Sequence, residues 1–297
     1  MYYYQDINEL CHKLNINNII TNDIDAWSQH KISRKIYNKL WLVEIQRVEC
    51  GPIGVEPSTY PIIIKPIINL YGMSRGFKKI NNRKEYLMNQ IDGCFWMPFL
   101  NGKLYTVDLI LDKGKIVGYN CLESKPSFSG TFEYHVYRPN YKLSPKIKIL
   151  IENNFKNYYG PMNIEIINDI IIEGHLRLNG DYYIYDDTFL KNLSSLIDKK
   201  DYNLKVKKKK FYLFPYFVNS SFNLDILNKE EIEEIILKNK VDNIRWDNIK
   251  SFYQRQDLTR LLMYRTDTLS TGYKIKKDII KNIFLRNKMY SYIYNGI

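Results

Sequence analysis

Four ionisable side chains in one short stretch have the types and spacing to hold a metal ion and an anion. Glu165 and Glu173 flank the turn residues Asn168-Asp169, and His175 and Arg177 follow Glu173 at alternate positions. If the hairpin is in register, the two carboxylates meet across the strands, and the other two groups share the face of Glu173. Paired carboxylates repel unless a cation separates them, and oxygen ligands with phosphates typically surround magnesium. The stretch predicts such a site; a solvated sheet face with a salt bridge is the alternative.

A lysine at the end of an apolar strand is the second feature with chemical meaning. Lys65 follows the β-branched run Ile62-Ile63-Ile64, and Gly72-Met73-Ser74-Arg75-Gly76 comes shortly afterwards. A buried ammonium loses hydration unless it meets an anion, and a glycine-rich turn offers backbone N–H groups to phosphates. The two features together predict a nucleotide site. A lysine that reaches solvent from the sheet edge, followed by an ordinary turn, is the alternative.

Apolar periodicity and turn residues indicate the elements that position these groups. Helices are predicted in two pieces over 1–38, with Asp23 or Asp25 as an N-cap, and over 39–46, 82–90, 143–155, 229–239 and 277–287. Strands are predicted over 61–66, 93–99, 104–111, 115–119, 163–167 and 170–173. Turns at Asn101-Gly102 and Lys113-Gly114 favour hairpins. The interspersed pattern predicts an α+β fold.

Taken in order, these pieces resemble the ATP-grasp superfamily from Lys39 to about residue 181. The family pattern is a lysine that opens a helix, a strand ending in lysine, a glycine-rich loop, a hinge strand and an acidic hairpin ending in E-x-N-x-R. The matching segments are Tyr37-Asn38-Lys39-Leu40, Ile63-Ile64-Lys65-Pro66, Gly72 to Gly76, Phe95 to Asp108, and Asn163-Ile164-Glu165 with Glu173-Gly174-His175-Leu176-Arg177.

The resemblance implies how ATP is held. Lys39 and Lys65 are expected to contact its phosphates, and the loop from Gly72 to Gly76 is expected to close over the β and γ groups. Three residues of the hinge strand are expected to line the adenine slot: Trp96, Met97 and Phe99. The family usually has acids at the hinge for the ribose, whereas Met97-Pro98 stand there in this chain.

The resemblance also implies the metal ligands and the catalytic groups. Glu165 and Glu173 are expected to hold one or two magnesium ions, with manganese as a second option. His175 replaces the family's asparagine, and it is expected either to join the metal ligands or to act as a base. Arg177 is expected to steady the transferring phosphoryl group or an acyl-phosphate. The expected catalytic residues are therefore Lys65, His175 and Arg177.

The predicted activity is that of an ATP-dependent carboxylate–amine ligase, acting on small-molecule or peptide substrates. Magnesium-bound ATP activates the acid as an acyl-phosphate, and an amine then displaces phosphate. A kinase with the same nucleotide site is one alternative, and a non-catalytic nucleotide- or nucleic-acid-binding module is another. The predicted divisions are a shortened N-terminal helical segment (1–60), a nucleotide-binding lobe (61–120), a metal and catalytic lobe (121–200) and an added C-terminal extension (201–297).

Composition narrows the remaining choices. The net charge of +12 and the lysine run from Lys207 to Lys210 would suit nucleic acid, but a single alanine among many Ile, Asn, Lys and Tyr residues is typical of an AT-rich genome, such as a viral one. Nucleic acid is therefore a less favoured partner. Four well-separated cysteines and the absence of a long apolar run predict a cytoplasmic protein, in the host cytoplasm if viral, without disulfides or membrane spans.

Overall fold

Among the residues that the structure describes, two antiparallel sheets, one of four strands and one of eight, organise the fold. The computed structural model describes residues 11–12, 14–71, 76–127, 131–179, 187–205, 209–219, 228–241, 244–246 and 258–285, with the backbone alone for 283–285. Helices are interspersed among the strands. The predicted α+β class with antiparallel-rich sheets is therefore confirmed.

The helices are short, and asparagine caps several of them. They are α1 (Asp23–Gln29), a 3-10 helix (Arg34–Tyr37), α2 (Lys39–Glu44), α3 (Arg83–Leu87), α4 (Pro145–Asn154), α5 (Asp187–Ile197), α6 (Lys229–Lys238) and α7 (Leu269–Ile279), which continues into a π-helical segment (Ile280–Leu285). The side chain of Asn38 accepts from Trp41 N at the start of α2. Such a cap satisfies an N–H group that has no partner within the helix.

The smaller sheet has two faces with different neighbours. Its strands run in the order β1-β4-β2-β3 and are β1 (Gly51–Pro52), β2 (Ile62–Pro66), β3 (Lys78–Ile80) and β4 (Cys94–Pro98). Because side chains alternate along a strand, Ile62, Ile64 and Trp96 share one face and pack with Tyr86 of α3. The other face meets α2, where Val43 of the helix is buried with Ile63, Phe95 and Met97 of the strands.

The larger sheet carries the predicted acidic hairpin at one edge. In the order β11-β12-β10-β7-β6-β5-β8-β9, it contains β5 (Leu104–Asp112), β6 (Lys115–Pro126), β7 (Phe132–Tyr137), β8 (Gly160–Ile167), β9 (Ile170–His175), β10 (Tyr212–Asn219), β11 (Ile244–Trp246) and β12 (Leu258–Thr266). The change from the smaller to the larger sheet falls between Pro98 and Leu104. The predicted lobe boundary at 120/121 instead lies inside β6.

Each face of the larger sheet has its own core. Val107 and Ile164 pack against Ile151 of α4 on one face, and Leu122 packs against Leu193 of α5 on the other. The face toward α5 also carries a patch of polar groups near β9. Strand register aligns these groups in two rows, Glu173 with Glu165 and Thr106, and His175 with Asn163 and Asp108.

Some predicted elements differ in extent. The last predicted helix, 277–287, begins earlier as α7 at Leu269, where Thr268 accepts from Thr271 N. Asn22, and neither Asp23 nor Asp25, is the N-cap of α1. The four cysteines are free thiols. Within the part of the chain that the structure describes, no helix has the length and apolar character needed to span a bilayer.

Candidate active site

Lys39 enters the site from the first turn of α2. Its backbone N–H donates to Ile67 O at 2.9 Å, which anchors the helix start beside the end of β2. The side chain is buried, and its Nζ lies 3.2 Å from Glu173 Oε1. Because a buried ammonium is costly without an anion, Glu173 stabilises Lys39 in this position.

Lys65 approaches the same hairpin from the smaller sheet. It is buried, and its Nζ donates to Ile172 O at 2.8 Å. Burial lowers the pKa of Lys65 to about 8; Glu173 opposes this shift, and the charge of Lys39 adds to it. An anion bound beside this lysine would restore the preference for the charged form, as a phosphate group does.

A pH dependence of stability follows from this lowered pKa. The ordinary lysine pKa is 10.5, so the unfolded chain binds more protons than the folded protein between about pH 8 and 10.5. The contribution of Lys65 to the free energy of unfolding therefore rises with pH through that window. We expect Lys65→Met to be more stable than the wild type at pH 7.5, by roughly 1–3 kcal/mol.

Denaturant unfolding of both proteins at pH 7.5 and pH 10 measures this effect. The difference between them should shrink at pH 10, while the titration of buried tyrosines affects both proteins alike. An advantage of the variant that is equal at both pH values would contradict the assignment.

Glu165 and Glu173 face each other across β8 and β9. Burial raises the pKa of Glu165, and the charge of Glu173 raises it further. Burial acts in the same direction on Glu173, but Lys39, His175 and Lys65 outweigh it and lower the pKa of that carboxyl. The pair therefore carries a repulsion that a divalent cation between the two carboxylates would relieve.

His175 does not complete a three-ligand metal site. Its Nδ1 lies 3.1 Å from Asp23 Oδ1, and its Nε2 lies 3.5 Å from Glu173 Oε1. Among the described residues, no group of three or more His, Cys, Asp or Glu side chains is arranged to hold a metal ion. The expectation that His175 joins Glu165 and Glu173 as a ligand is not supported, because both ring nitrogens face carboxylates.

Arg177 lies just beyond β9 and is held by its neighbours. Its Nη2 lies 2.9 Å from Asp23 Oδ2, and its Nη1 donates to Leu178 O at 3.0 Å. The backbone before it is drawn close to the 3-10 helix, because a Cβ on Gly174 would lie 2.5 Å from Ile36 Cγ1. Glycine at this position therefore permits the packing that brings the N-terminal region against the hairpin.

Two buried polar residues that the sequence analysis did not identify support the hairpin. Gln46 Nε2 donates to Ile171 O at 2.8 Å, and Ile171 N donates to Gln46 Oε1 at 2.8 Å, so this amide pairs with the β9 edge as a strand would. On the other side, Asp108 Oδ1 accepts from Asn163 Nδ2 at 2.8 Å and from Asn179 N at 2.9 Å. For Asp108 the available signal was a carboxylate between the apolar residues Val107 and Leu109.

Replacement of Gln46 tests the support of the β9 edge. Gln46→Leu leaves the N–H and C=O of Ile171 without these partners, and each buried unsatisfied group costs about 1–3 kcal/mol. We expect the free energy of unfolding to fall by roughly 2–4 kcal/mol, as measured by denaturant titration. Gln29→Leu, an exposed change in α1, is the control and should leave stability within about 0.5 kcal/mol. Equal stability of the two variants would contradict the role of Gln46.

The hinge residues divide between the two faces of the smaller sheet. Met97 pairs with Ile63 and lies on the face of Lys65. Phe99 is partly exposed, beneath Lys79 Nζ at 4.2 Å from the ring centroid. Trp96 is buried on the opposite face, where its Nε1 donates to Val55 O at 2.6 Å. The expectation that Trp96 lines the adenine slot is therefore wrong, whereas Met97 and Phe99 remain candidates.

The predicted phosphate loop and the lysine run are described only in part. Gly72, Met73, Ser74 and Arg75 lie outside the described residues. Gly76 has a φ of +74°, and a Cβ there would lie 2.9 Å from Pro66 Cγ, so the position requires glycine. In the basic run, Lys207 and Lys208 lie outside the described residues, whereas Lys209 Nζ pairs with Asp267 Oδ2 at 2.6 Å.

The two sheets, and the lysines and glutamates that converge at the acidic hairpin, indicate the class of fold. Comparison with solved structures shows that the chain has the ATP-grasp fold. No family model and no curated protein matches the sequence.

Enzymes that catalyse different reactions have structures similar to that of this chain. Similar structures include N5-carboxyaminoimidazole ribonucleotide synthetase from Thermus thermophilus, with a TM-score of 0.57 and 10% identity over 95% of this chain and 86% of that chain. Carboxyaminoimidazole ribonucleotide synthase from Aspergillus clavatus, complexed with ATP, gives 0.60 and 12% over 96% and 86%. L-amino acid ligase from Bacillus licheniformis gives 0.54 and 11% over 96% and 77%.

Proposed function

We propose that the protein is an ATP-dependent ligase that activates a carboxylate as an acyl-phosphate and joins it to an amine. The observation that carries this proposal is the convergence of two buried lysines on a pair of opposed glutamates, with Lys39 Nζ 3.2 Å from Glu173 Oε1. Phosphates and a divalent cation are the partners that such a charge arrangement fits. The ATP-bound state of a structural neighbour supports the choice of nucleotide.

The donor set fits magnesium. Mg²⁺ keeps several water ligands and needs only one or two protein carboxylates beside the phosphates, so Glu165 and Glu173 suffice without His175. A bound cation would relieve the repulsion between these two carboxylates in the folded protein. When bound, the ion would neutralise charge on the phosphates.

The charged residues of this chain support a two-step reaction. Lys39 and Lys65 hold phosphate oxygens, and an oxygen of the substrate carboxylate attacks the γ-phosphorus, so that the bond to the β-phosphate oxygen breaks and ADP leaves. The amine then attacks the carbonyl carbon, phosphate leaves, and the amine releases a proton. The guanidinium of Arg177 opposes the negative charge that develops in both steps.

Binding and trapping experiments test the proposal. Thermal unfolding is followed with ATP, with magnesium and with both; at a hundredfold excess over the dissociation constant the stabilisation is about 2.7 kcal/mol. Pools of carboxylic acids with ATP, magnesium and hydroxylamine are then assayed for ADP and hydroxamate, which forms when hydroxylamine displaces phosphate from an acyl-phosphate. A phosphate ester without hydroxamate would indicate a hydroxyl kinase. A protein stabilised by no combination of ATP and magnesium would contradict the proposal.

A further inference from the structure

The carboxylate of Asp23 is fully buried and lies beside the end of the acidic hairpin. It is the first residue of α1, and its side chain has no solvent exposure. Tyr37 Oη donates to its Oδ1 at 3.1 Å. His175 Nδ1 lies 3.1 Å from the same oxygen, and Arg177 Nη2 lies 2.9 Å from Oδ2. One carboxylate thus joins α1 and the 3-10 helix to the two polar residues that follow Glu173.

The environment keeps this carboxylate charged. Burial alone would raise the pKa of Asp23, but the neighbouring Arg177 and His175 outweigh burial and hold that pKa well below its ordinary value. Removing one partner of a buried ion pair leaves an uncompensated charge, so the contact between Asp23 and Arg177 resists disruption. Arg177 is consequently restrained at one nitrogen by Asp23 and at another by Leu178 O.

Helix capping does not explain the position of Asp23. Asn22 already caps α1, because its Oδ1 accepts from Asp25 N at 2.9 Å. The side chain of Asp23 is instead directed into the protein toward β9. Tyr37 strengthens the connection, since its Oη also accepts from Leu176 N at 3.0 Å, between His175 and Arg177. Asp23 and Tyr37 therefore hold the segment 175–177 by its side chains and its backbone.

We propose that Asp23 is a positioning residue that fixes Arg177 and His175 for the phosphoryl-transfer reaction. The inference rests on the proposed function, because it assigns Arg177 a contact with the transferring group. It gives the region before Lys39 a part in the active site. Groups that orient metal ligands typically change metal affinity or activity about 10- to 100-fold when they are replaced, and we expect the same range for Asp23.

The first experiment compares Asp23→Asn with Asp25→Asn. Asp25 lies on the same helix, is exposed and has no contact with the hairpin among its described hydrogen bonds. With Mg-ATP and the best acid from the hydroxylamine assay, or with water as acceptor, we expect Asp23→Asn to lower kcat about 10- to 100-fold while KM for ATP changes less than about threefold. Asp25→Asn should retain wild-type kcat.

A double-mutant cycle separates positioning from stability. In the Arg177→Gln background, we expect Asp23→Asn to change kcat less than about threefold, because its partner is already absent. Fully multiplicative effects on kcat would overturn the inference, as would an unchanged kcat in folded Asp23→Asn.

A milder variant decides the question if Asp23→Asn fails to fold. Tyr37→Phe removes only the hydroxyl that joins Asp23 to Leu176 N, and we expect it to lower kcat about 3- to 10-fold with little change in KM for ATP. An unchanged kcat in Tyr37→Phe would then overturn the inference. The wild type is assayed first. A wild type that neither binds nor turns over Mg-ATP contradicts the proposed function, whereas an active wild type with active variants contradicts only the role of Asp23.

Discussion

Glu173→Gln should lower ADP release by about 10²- to 10³-fold, the range seen when one group that stabilises a charged transition state is removed. The change keeps the size of the side chain and removes the charge that pairs with Lys39 at 3.2 Å and faces Glu165. We also expect the variant to lose the magnesium-dependent part of its stabilisation by ATP, because it lacks one of the two carboxylates proposed to hold the metal. Steady-state kinetics and thermal unfolding with ATP, with and without magnesium, measure both effects.

Glu152→Gln is the matched control for this prediction. Glu152 belongs to α4 and pairs with the exposed Lys115 at 3.1 Å. A surface pair contributes at most about 1 kcal/mol, so activity and magnesium dependence should be those of the wild type. If Glu173→Gln kept more than about a third of wild-type ADP release, the assignment of Glu173 to the metal would be untenable.

Lys65→Met should have opposite effects on activity and on the stability of the ligand-free protein. The loss of the ammonium removes the proposed phosphate contact, and we expect kcat/KM for ATP to fall about 10²-fold or more. The same change removes a desolvated charge, so the ligand-free protein should become more stable at neutral pH. ATP titration by thermal unfolding, together with initial rates of ADP release, measures both quantities.

Lys78→Met is the control for Lys65→Met. Lys78 of β3 is exposed and pairs with Ile64 of β2. It therefore lies on the face of the smaller sheet opposite to that of Lys65. Its Nζ accordingly contacts Asn89 and not the hairpin. We expect neither nucleotide affinity nor ADP release to change. A Lys65→Met protein that binds ATP as tightly as this control would refute the phosphate role.

The local parts of the site were predictable because their signals are short-range. Lys65 ends a β-branched strand, and Glu165 and Glu173 lie on the two strands that a two-residue turn joins. Alternation from that turn alone would pair Glu165 with Ile172, so the meeting of the two carboxylates also depends on the register shift between Glu165 and Ile166. The α+β class followed from the same patterning. Trp96 was misplaced because the face of a residue on β4 depends on its register with β2, which the residue types of β4 do not specify.

Contacts between distant parts of the chain were not predictable. An aspartate at the start of a helix fits a capping role, and nothing near Asp23 in the sequence indicates partners at positions 175 and 177. The pairing of β10 with β7 is also long-range. It incorporates the C-terminal strands β10, β11 and β12 into the larger sheet, where the sequence predicted an added C-terminal extension.

The junction between β7 and β10 affects the order of assembly during synthesis. Their register contains two residue pairs, Tyr212 with Val136 and Leu213 with His135, and Tyr137 N donates to Phe211 O beside them. While the ribosome is still making the later residues, the outer edge of β7 lacks this partner and offers its backbone groups to other chains. A chaperone that covers β7 would therefore act before β10 emerges, at a stage when the residues of β8 and β9 have already been synthesised.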